Sequence, residues 1–156
     1  MEGLGLNMSI SRKSLNPDSS FWSGKSVLIT GHTGFKGSWL ALWLLNMGAC
    51  VYGLSLPAES PSSLFSQLNI DPHIHSYFGD IRDADFVSRT VSDVSPDVVF
   101  HLAAQPLVRY SYQSPVETWS TNVMGTVHVL DSLRLLSKFC AAVFITTDKV
   151  YFNQEW

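Results

Sequence analysis

Short apolar runs alternate with longer amphipathic stretches along this chain from Lys25 onward. Apolar runs bounded by polar residues are typical of strands, whereas apolar residues three or four positions apart indicate helices. The pattern predicts five strands, at 26–30, 50–55, 74–78, 97–102 and 141–146. It predicts three helices, at 35–47, 83–94 and 115–137, and a short one at 62–68. Such strand–helix alternation predicts an α/β fold with a doubly wound parallel sheet.

Two predicted strands and one predicted helix carry most of the expected core. Val98-Val99-Phe100 and Val143-Phe144-Ile145 are continuously apolar, which favours central strands covered on both faces. In the longest helix, apolar residues recur at helical spacing, which predicts a buried face. These residues are Trp119, Val123, Val127, Leu130 and Leu133.

The two ends of the chain suggest its domain organisation. Residues 1–24 are rich in serine, glycine and asparagine and have no periodicity, so we expect a flexible N-terminal tail. Residues 25–156 form the predicted domain. Dinucleotide-binding sheets of this kind usually have a sixth strand. We therefore expect 25–156 to be an incomplete domain, truncated before the last strands and a substrate domain; a compact five-stranded protein is the alternative.

Composition excludes several classes of protein. Hydrophobic residues make up 46% and charged residues 15% of 156 positions, as in a globular domain. The net charge of −3 gives no reason to expect nucleic acid or an anionic membrane as a partner. The most apolar run, 39–45, is far shorter than the roughly 20 residues that span a membrane. Cys50 and Cys140 are expected to be buried free thiols in a reducing cytoplasm.

Three glycines at G-x-x-G-x-x-G spacing are the most informative motif. Gly31, Gly34 and Gly37 lie between the first predicted strand and the first long helix. Glycines there let the backbone approach a dinucleotide pyrophosphate and leave the N–H groups of the helix N-terminus facing it. The motif therefore predicts a Rossmann-type dinucleotide site, with close strand–helix packing alone as the alternative. Lys36 could approach the phosphates or face solvent, and His32 is interpreted as a loop residue rather than a catalyst.

Polar residues follow the next two strands at the same predicted edge. An acidic residue at the end of the second strand usually binds the adenosine ribose. Ser55 stands there instead and no arginine follows, so the choice between NAD and NADP is open. Asp80 follows the third strand, where it could accept from the adenine amino group or cap helix 83–94.

The last two strands are followed by candidates for chemistry. Ala103 and Ala104 would let a flat cofactor ring lie against the backbone, and Gln105 follows them. Thr147, Asp148 and Lys149 could supply a hydrogen-bond donor, a general acid and a general base, although an ordinary polar strand end has similar residues. Asp71, His73 and His75 lack a fourth ligand, and we predict no metal site.

Several of these motifs together resemble the CDP-glucose 4,6-dehydratases, extended short-chain dehydrogenase/reductases that modify nucleotide sugars. The resemblance rests on the FWSGK segment at 21–25, GHTGFKGSWL at 31–40, HLAAQPLVR at 101–109, TNVMGT at 121–126 and TDKVY at 147–151. It implies a lyase with bound NAD that converts CDP-glucose into the 4-keto-6-deoxy sugar nucleotide, in a homo-oligomeric parent protein.

The resemblance also implies roles for individual residues. Thr147 would hydrogen-bond the sugar C4 oxygen, Asp148 would protonate the departing C6 hydroxyl, and Lys149 would remove the C5 proton. Gln105 would contact the substrate. The implied cofactor contacts are Gly31, Thr33, Gly34, Phe35, Lys36, Gly37, Ser55, Asp80, Ile81, Ala103, Ala104 and Thr121.

One part of the family pattern is missing from these 156 residues. Family members use a Tyr-x-x-x-Lys pair further along, but Tyr151 is followed four residues later by Glu155. We therefore expect the chain to correspond to the front half of such an enzyme and to be inactive by itself. The alternatives are a non-catalytic dinucleotide-binding module, and a dehydratase or epimerase that acts on another nucleotide sugar.

Overall fold

A single five-stranded parallel sheet organises the computed structural model, which describes residues 18–147 and residue 152. The strands are β1 (Ser26–Thr30), β2 (Cys50–Ser55), β3 (His75–Phe78), β4 (Val98–His101) and β5 (Ala141–Phe144). Their spatial order is β3-β2-β1-β4-β5, and every neighbouring pair is parallel. The order reverses at β1, as in doubly wound sheets. The predicted fold class is confirmed, and all five predicted strands are present.

Helices connect the strands and cover both faces of the sheet. They are α1 (Ser19–Trp22), α2 (Phe35–Asn46), α3 (Leu64–Leu68), α4 (Ala84–Val94), α5 (Val108–Gln113), α6 (Pro115–Trp119) and α7 (Gly125–Leu133). A 3₁₀ turn spans Asp71–His73, and a π-helical segment spans Ser120–Met124 between α6 and α7. The sequence pattern missed α5, and it missed α1, which lies inside the predicted tail. Asp18 caps α1 by accepting from the Ser20 N–H at 2.8 Å.

The hydrophobic core has two halves, one on each face of the sheet. Successive residues of a strand point to opposite faces, so Ile29 packs with Leu44 of α2 on one side. Leu28 packs with Val91 of α4 and Val129 of α7 on the other side. All three of these aliphatic partners are almost completely buried. This two-sided burial places α2 on one face of the sheet and α4 with α7 on the other.

The long helix predicted at 115–137 differs from the prediction in its continuity and in its buried face. It is divided into α6, the π-helical segment and α7. Trp119 is 67% exposed, and most of the other large apolar residues that the spacing assigned to the core are also exposed. The buried positions of α7 are Gly125, Val129 and Ser132. A Cβ at Gly125 would lie 2.8 Å from Ile81 Cγ2, so only a very small residue allows this close approach.

The predicted central position of Val143-Phe144-Ile145 is wrong for the part of the chain described. β4 is central and its Val98 and Val99 are buried, whereas β5 forms an edge of the sheet. Val143 is 43% exposed and Ile145 is 49% exposed. An apolar run indicates that a segment prefers to form a strand. Whether other elements cover the faces of that strand depends on the rest of the fold, which the run does not specify.

The two cysteines are free thiols, and neither is fully buried as predicted. Cys50 is exposed at the start of β2, whereas Cys140 precedes β5 and is half-buried against the core. Among the residues that the structure describes, no helix is both long and apolar enough to cross a membrane.

The exposed edge at β5 predicts self-association of the 156-residue chain. An open strand edge with apolar side chains pairs readily with another copy. We expect size-exclusion chromatography to show oligomers whose fraction rises with protein concentration. Val143→Lys should lower that fraction, because a charge on an edge strand opposes pairing, while changing the free energy of unfolding by only about 0.5 kcal/mol. A monomer peak at all concentrations with cooperative melting would contradict this expectation.

Candidate functional site

The carboxyl ends of the five strands lie at one edge of the sheet, where open α/β sheets bind ligands. β1 and β4 are adjacent and in register, so Thr30 lies beside His101 at this edge. The glycine turn follows β1, and the Leu102–Gln105 segment follows β4. The topology therefore brings the two most informative sequence motifs together.

Glycines 31 and 37 allow the turn to pack against its surroundings. Gly31 has φ +77°, and a Cβ there would lie 2.9 Å from the Ala103 backbone nitrogen. A Cβ at Gly37 would lie 2.1 Å from the Gly31 carbonyl oxygen, which no packing adjustment could accommodate. Both positions require glycine for close approach, so the packing alternative from the sequence describes part of their role.

Gly34 has a different environment. Its φ of −74° is ordinary for any residue, and it is the N-cap of α2 with no side-chain hydrogen bond to the helix. A Cβ there meets only the Gly31 carbonyl oxygen, at 3.3 Å. The first N–H groups of a helix have no intrahelical partner. This exposed, uncapped N-terminus fits a bound phosphate group, and Phe35 and Lys36 are exposed beside it.

Two hydroxyl groups meet at the end of β2. Thr33 Oγ1 and Ser55 Oγ are 2.6 Å apart. Both also lie within hydrogen-bond distance of the Leu56 carbonyl oxygen, at 3.0 and 2.8 Å. Thr33 therefore connects the glycine turn to the end of the second strand.

Asp80 does not cap the helix that follows β3. Asp83 caps α4 by accepting from the Phe86 N–H at 2.9 Å. Asp80 instead accepts from the Arg82 guanidinium, and these hydrogen bonds lower the pKa of its carboxyl group. Arg82 also approaches Glu117 Oε1 at 3.5 Å. The helix-cap alternative for Asp80 is thus wrong.

The predicted cofactor contact at Ile81 lies in the core. Ile81 is 5% exposed and packs in the same cluster as Val129 of α7. Its carbonyl oxygen is 3.0 Å from His128 Nδ1, so the backbone here is also tied to α7. Only its backbone could face the edge of the sheet without a change in the core.

His101 at the end of β4 is held in one tautomer by its hydrogen-bond partners. Thr30 Oγ1 accepts from the Leu102 and Ala103 N–H groups, at 3.2 Å each. Its own proton therefore points to His101 Nδ1, 2.7 Å away. His101 Nε2–H then donates to Thr126 Oγ1 at 3.0 Å. This chain of bonds fixes the start of the 102–105 segment to both β1 and α7.

Asn122 and Gln105 fix the other end of that segment. Asn122 Oδ1 accepts from the Gln105 N–H at 2.7 Å, and its Nδ2 donates to the Gln105 carbonyl oxygen at 3.1 Å. The Gln105 side chain donates to Thr118 Oγ1 at 2.9 Å and accepts from the Leu107 N–H. The predicted substrate contact Gln105 is thus a structural link here, with one N–H and one lone pair left over. Thr121 lies in the same π-helical segment as Asn122.

His32 lies in the turn, as the sequence suggested, but its side chain is completely buried. It packs over Gly53, where a Cβ would lie 2.3 Å from the ring. Ser76 Oγ donates to Asp71 Oδ1 at 2.6 Å and so accepts from His32 Nε2–H at 3.2 Å. The imidazole thereby connects the glycine turn to the 3₁₀ turn before β3.

The predicted catalytic residues are only partly described. Thr147 is exposed just beyond β5, at the carboxyl edge. Asp148 and Lys149 lie outside the described residues. Within residues 18–147, no group of three histidine, cysteine or acidic side chains is arranged to hold a metal ion.

Sequence reasoning missed the polar residues that support the site. Thr30, Thr126 and Asn122 were given no role, although Thr30 and Asn122 hold the 102–105 segment and Thr126 bonds His101 just before it. A polar residue at the end of each of two apolar strands was the available signal for the Thr30–His101 pair. The roles of Asn122 and Thr126 depend on how helix 115–133 crosses the edge, which periodicity does not report.

Comparison with known proteins gives one family. The family model described as GDP-mannose 4,6 dehydratase matches residues 28–155. A CDP-glucose 4,6-dehydratase from Salmonella typhimurium is 52% identical over 139 residues, which are 89% of this chain and 39% of that protein. A GDP-mannose 4,6-dehydratase from Vibrio cholerae is 37% identical over 72% of this chain and 32% of its own length. The chain thus spans well under half of the curated relatives it matches.

Solved structures agree with the fold. A UDP-glucose-4-epimerase from Stenotrophomonas maltophila, with bound NAD and formylated UDP-arabinopyranose, superposes with a TM-score of 0.72 at 25% identity. The match covers 85% of this chain and 40% of the epimerase. The shared architecture is the Rossmann-type sheet, and in that neighbour the protein holds a dinucleotide.

Two buried histidines predict acid sensitivity of the fold. Burial lowers the pKa of His32 and of His101 to about 4, below the ordinary value of about 6.5. Between these values the unfolded chain binds more protons than the folded chain, so stability falls as the pH drops from about 6.5 to about 4. Each histidine contributes a slope of up to about 1.4 kcal/mol per pH unit.

The measurement is the free energy of unfolding in urea at several pH values. We expect His101→Gln to lower the slope, because one of the two buried imidazoles that bind a proton on unfolding is lost. The matched control is His73→Gln, which removes an exposed imidazole instead of a buried one. An unaltered slope in His101→Gln would contradict the assignment.

Proposed function

Because this chain belongs to the GDP-mannose 4,6 dehydratase family, we propose that it is the cofactor-binding part of a nucleotide-sugar 4,6-dehydratase that uses NAD. The observation that carries the proposal is the uncapped N-terminus of α2 at Gly34, in a turn held tight by Gly31 and Gly37. The identity to a CDP-glucose 4,6-dehydratase supports CDP-glucose as the substrate. We further propose a cytoplasmic, homo-oligomeric parent protein.

The proposed cofactor contacts follow the edge of the sheet from β3 to β5. Backbone N–H groups of the glycine turn would hold the pyrophosphate, with Lys36 near it. Asp80 would accept from the adenine amino group in exchange for one of the hydrogen bonds that its carboxylate now accepts from Arg82. Ala103 and Ala104 would lie under the nicotinamide end. The remaining proposed contacts are Thr33, Phe35, Ser55, Ile81 and Thr121.

The proposed reaction is an internal oxidation, elimination and reduction. Bound NAD would supply a hydride acceptor at sugar C4 that later serves as the donor at C6. Thr147 would hydrogen-bond the C4 oxygen, and the tyrosine of the family pattern, which these 156 residues do not contain, would take the C4 hydroxyl proton. The resulting ketone would acidify the C5 proton. Lys149 would remove that proton while Asp148 protonates the C6 hydroxyl, which leaves as water, and Lys149 would return the proton to C5 when the hydride reaches C6. Gln105 would contact the substrate with the hydrogen-bonding capacity that its structural role leaves.

Lys149 can act as a base only when its amine is neutral. Burial or a nearby positive charge would have to lower its pKa for this role.

We propose that residues 25–156 are an incomplete dinucleotide-binding domain, which the shares of 39% and 32% of the relatives' lengths support. A dinucleotide-binding module without catalysis remains the second candidate, because the 156 residues contain no Tyr-x-x-x-Lys.

Gly34→Val should abolish NAD binding to this chain. The branched side chain would occupy the space in front of the α2 N-terminus, whereas the backbone angle at Gly34 is one that valine adopts readily. Isothermal titration calorimetry should therefore show weak NAD binding to the wild type and none to the variant, at a similar melting temperature.

The control for this variant introduces valine away from the edge. Ser92→Val, on the exposed surface near the end of α4, should bind NAD like the wild type. Equal NAD affinity in Gly34→Val and the wild type would remove the glycine turn from the site.

The 156-residue chain should give no 4-keto product from CDP-glucose and NAD. The tyrosine that would deprotonate the C4 hydroxyl is not in this sequence, and general base catalysis contributes roughly 10²–10⁴-fold. The measurement is ketone absorbance at alkaline pH after prolonged incubation. Measurable turnover would show that these residues suffice for catalysis and would exclude the non-catalytic module.

A further inference from the structure

The hydroxyl pair at the end of β2 stands where a carboxylate usually receives the adenosine ribose. Ser55 is 8% exposed, so its side chain has little freedom to turn. Its hydroxyl is bonded to Thr33 of the glycine turn at 2.6 Å. Glu59 is the first acid after β2, but it is exposed and lies four residues beyond the end of the strand.

Counting protons shows what this pair can offer a ligand. Each hydroxyl has one proton and two lone pairs. One proton lies in the bond between Thr33 and Ser55, and the other is directed to the Leu56 carbonyl oxygen. The pair therefore keeps lone pairs that can accept a hydrogen bond, but it has no proton to donate without losing one of these contacts.

On the basis of the proposed function, we propose that the Thr33–Ser55 hydroxyl pair accepts a hydrogen bond from the 2′-hydroxyl of the adenosine ribose and so makes this chain prefer NAD to NADP. A ribose hydroxyl can donate to the pair, whereas a 2′-phosphate dianion can only accept. A phosphate would face lone pairs unless a buried hydroxyl gave up an existing bond. The preference arises without any carboxylate.

The charged groups beside the adenosine end do not reverse this preference. Arg82 is the cation that follows β3, and it is held by Asp80 and Glu117 at 2.5 and 3.5 Å. Its charge is therefore largely compensated before any phosphate could bind. The hydroxyl pair carries no charge, so it does not repel a phosphate but only fails to bind one. The preference for NAD over NADP should therefore be moderate, about two- to tenfold, which is the range expected of one neutral hydrogen bond.

The experiment measures the dissociation constants of NAD and NADP for the 156-residue chain and its variants. In the wild type, we expect NADP to bind about two- to tenfold more weakly than NAD. The double variant Thr33→Val/Ser55→Ala removes both hydroxyl acceptors, so it should weaken NAD binding by that factor and leave NADP binding within twofold, and the ratio should approach one. Each single variant leaves one hydroxyl that can still accept a hydrogen bond, so its ratio should lie between those of the wild type and the double variant.

Two controls separate this role from a general structural one. Thr33→Ser keeps the hydroxyl and should keep the ratio. Glu59→Gln should also keep it; loss of the preference in that variant would assign the ribose to Glu59 and overturn the inference. Melting temperatures identify any variant that is not folded.

The outcomes distinguish this inference from the proposed function on which it rests. Absence of binding by either nucleotide at millimolar concentration would overturn both. Binding of NAD that Gly34→Val abolishes, with a wild-type ratio near one or a ratio unchanged in the double variant Thr33→Val/Ser55→Ala, would overturn only the role of the hydroxyl pair.

Discussion

The close approach of backbone to backbone around the glycine turn is the constraint on which the site depends. Gly37 lies against the Gly31 carbonyl group, and Gly31 lies against the Ala103 peptide. These contacts bring the start of α2 onto the ends of β1 and β4, where a side chain at either glycine would separate them. The uncapped N-terminus of α2 at Gly34 is a consequence, since the helix begins at the edge of the sheet with no side chain to cap it.

A second set of contacts makes this edge rigid in the other direction. The hydrogen bonds of His101 and Asn122 hold the 102–105 segment at both of its ends. His32 performs a comparable role between the turn and the 3₁₀ segment before β3. The two buried neutral imidazoles thus hold these segments in place. The protein loses stability in acid as a consequence, because burial disfavours protonation of both rings.

The sequence predicted the elements better than their surroundings. β1 and β2 have the predicted bounds, because β-branched runs bordered by turn residues define strands locally. The coverage of β5 and the buried face of α7 were wrong, since both depend on contacts between distant elements. At the site, glycine spacing located the turn, but only the packing distinguishes Gly34 from Gly31 and Gly37. The bonds of Gln105 likewise could not be inferred, because its partners are brought close by tertiary structure.

The π-helical segment changes the angular phase of the helix that contains it. An α-helix turns about 100° per residue, so one extra residue within a turn rotates everything beyond it by about that angle. Asn122 can therefore face the 102–105 segment while Gly125 and Val129 face the core just after it. In an uninterrupted α-helix, Asn122, Gly125 and Val129 would lie on the same side of the helix. The π-helical segment thus lets the residue before the break contact the ligand-binding edge and the residues after it contact the sheet.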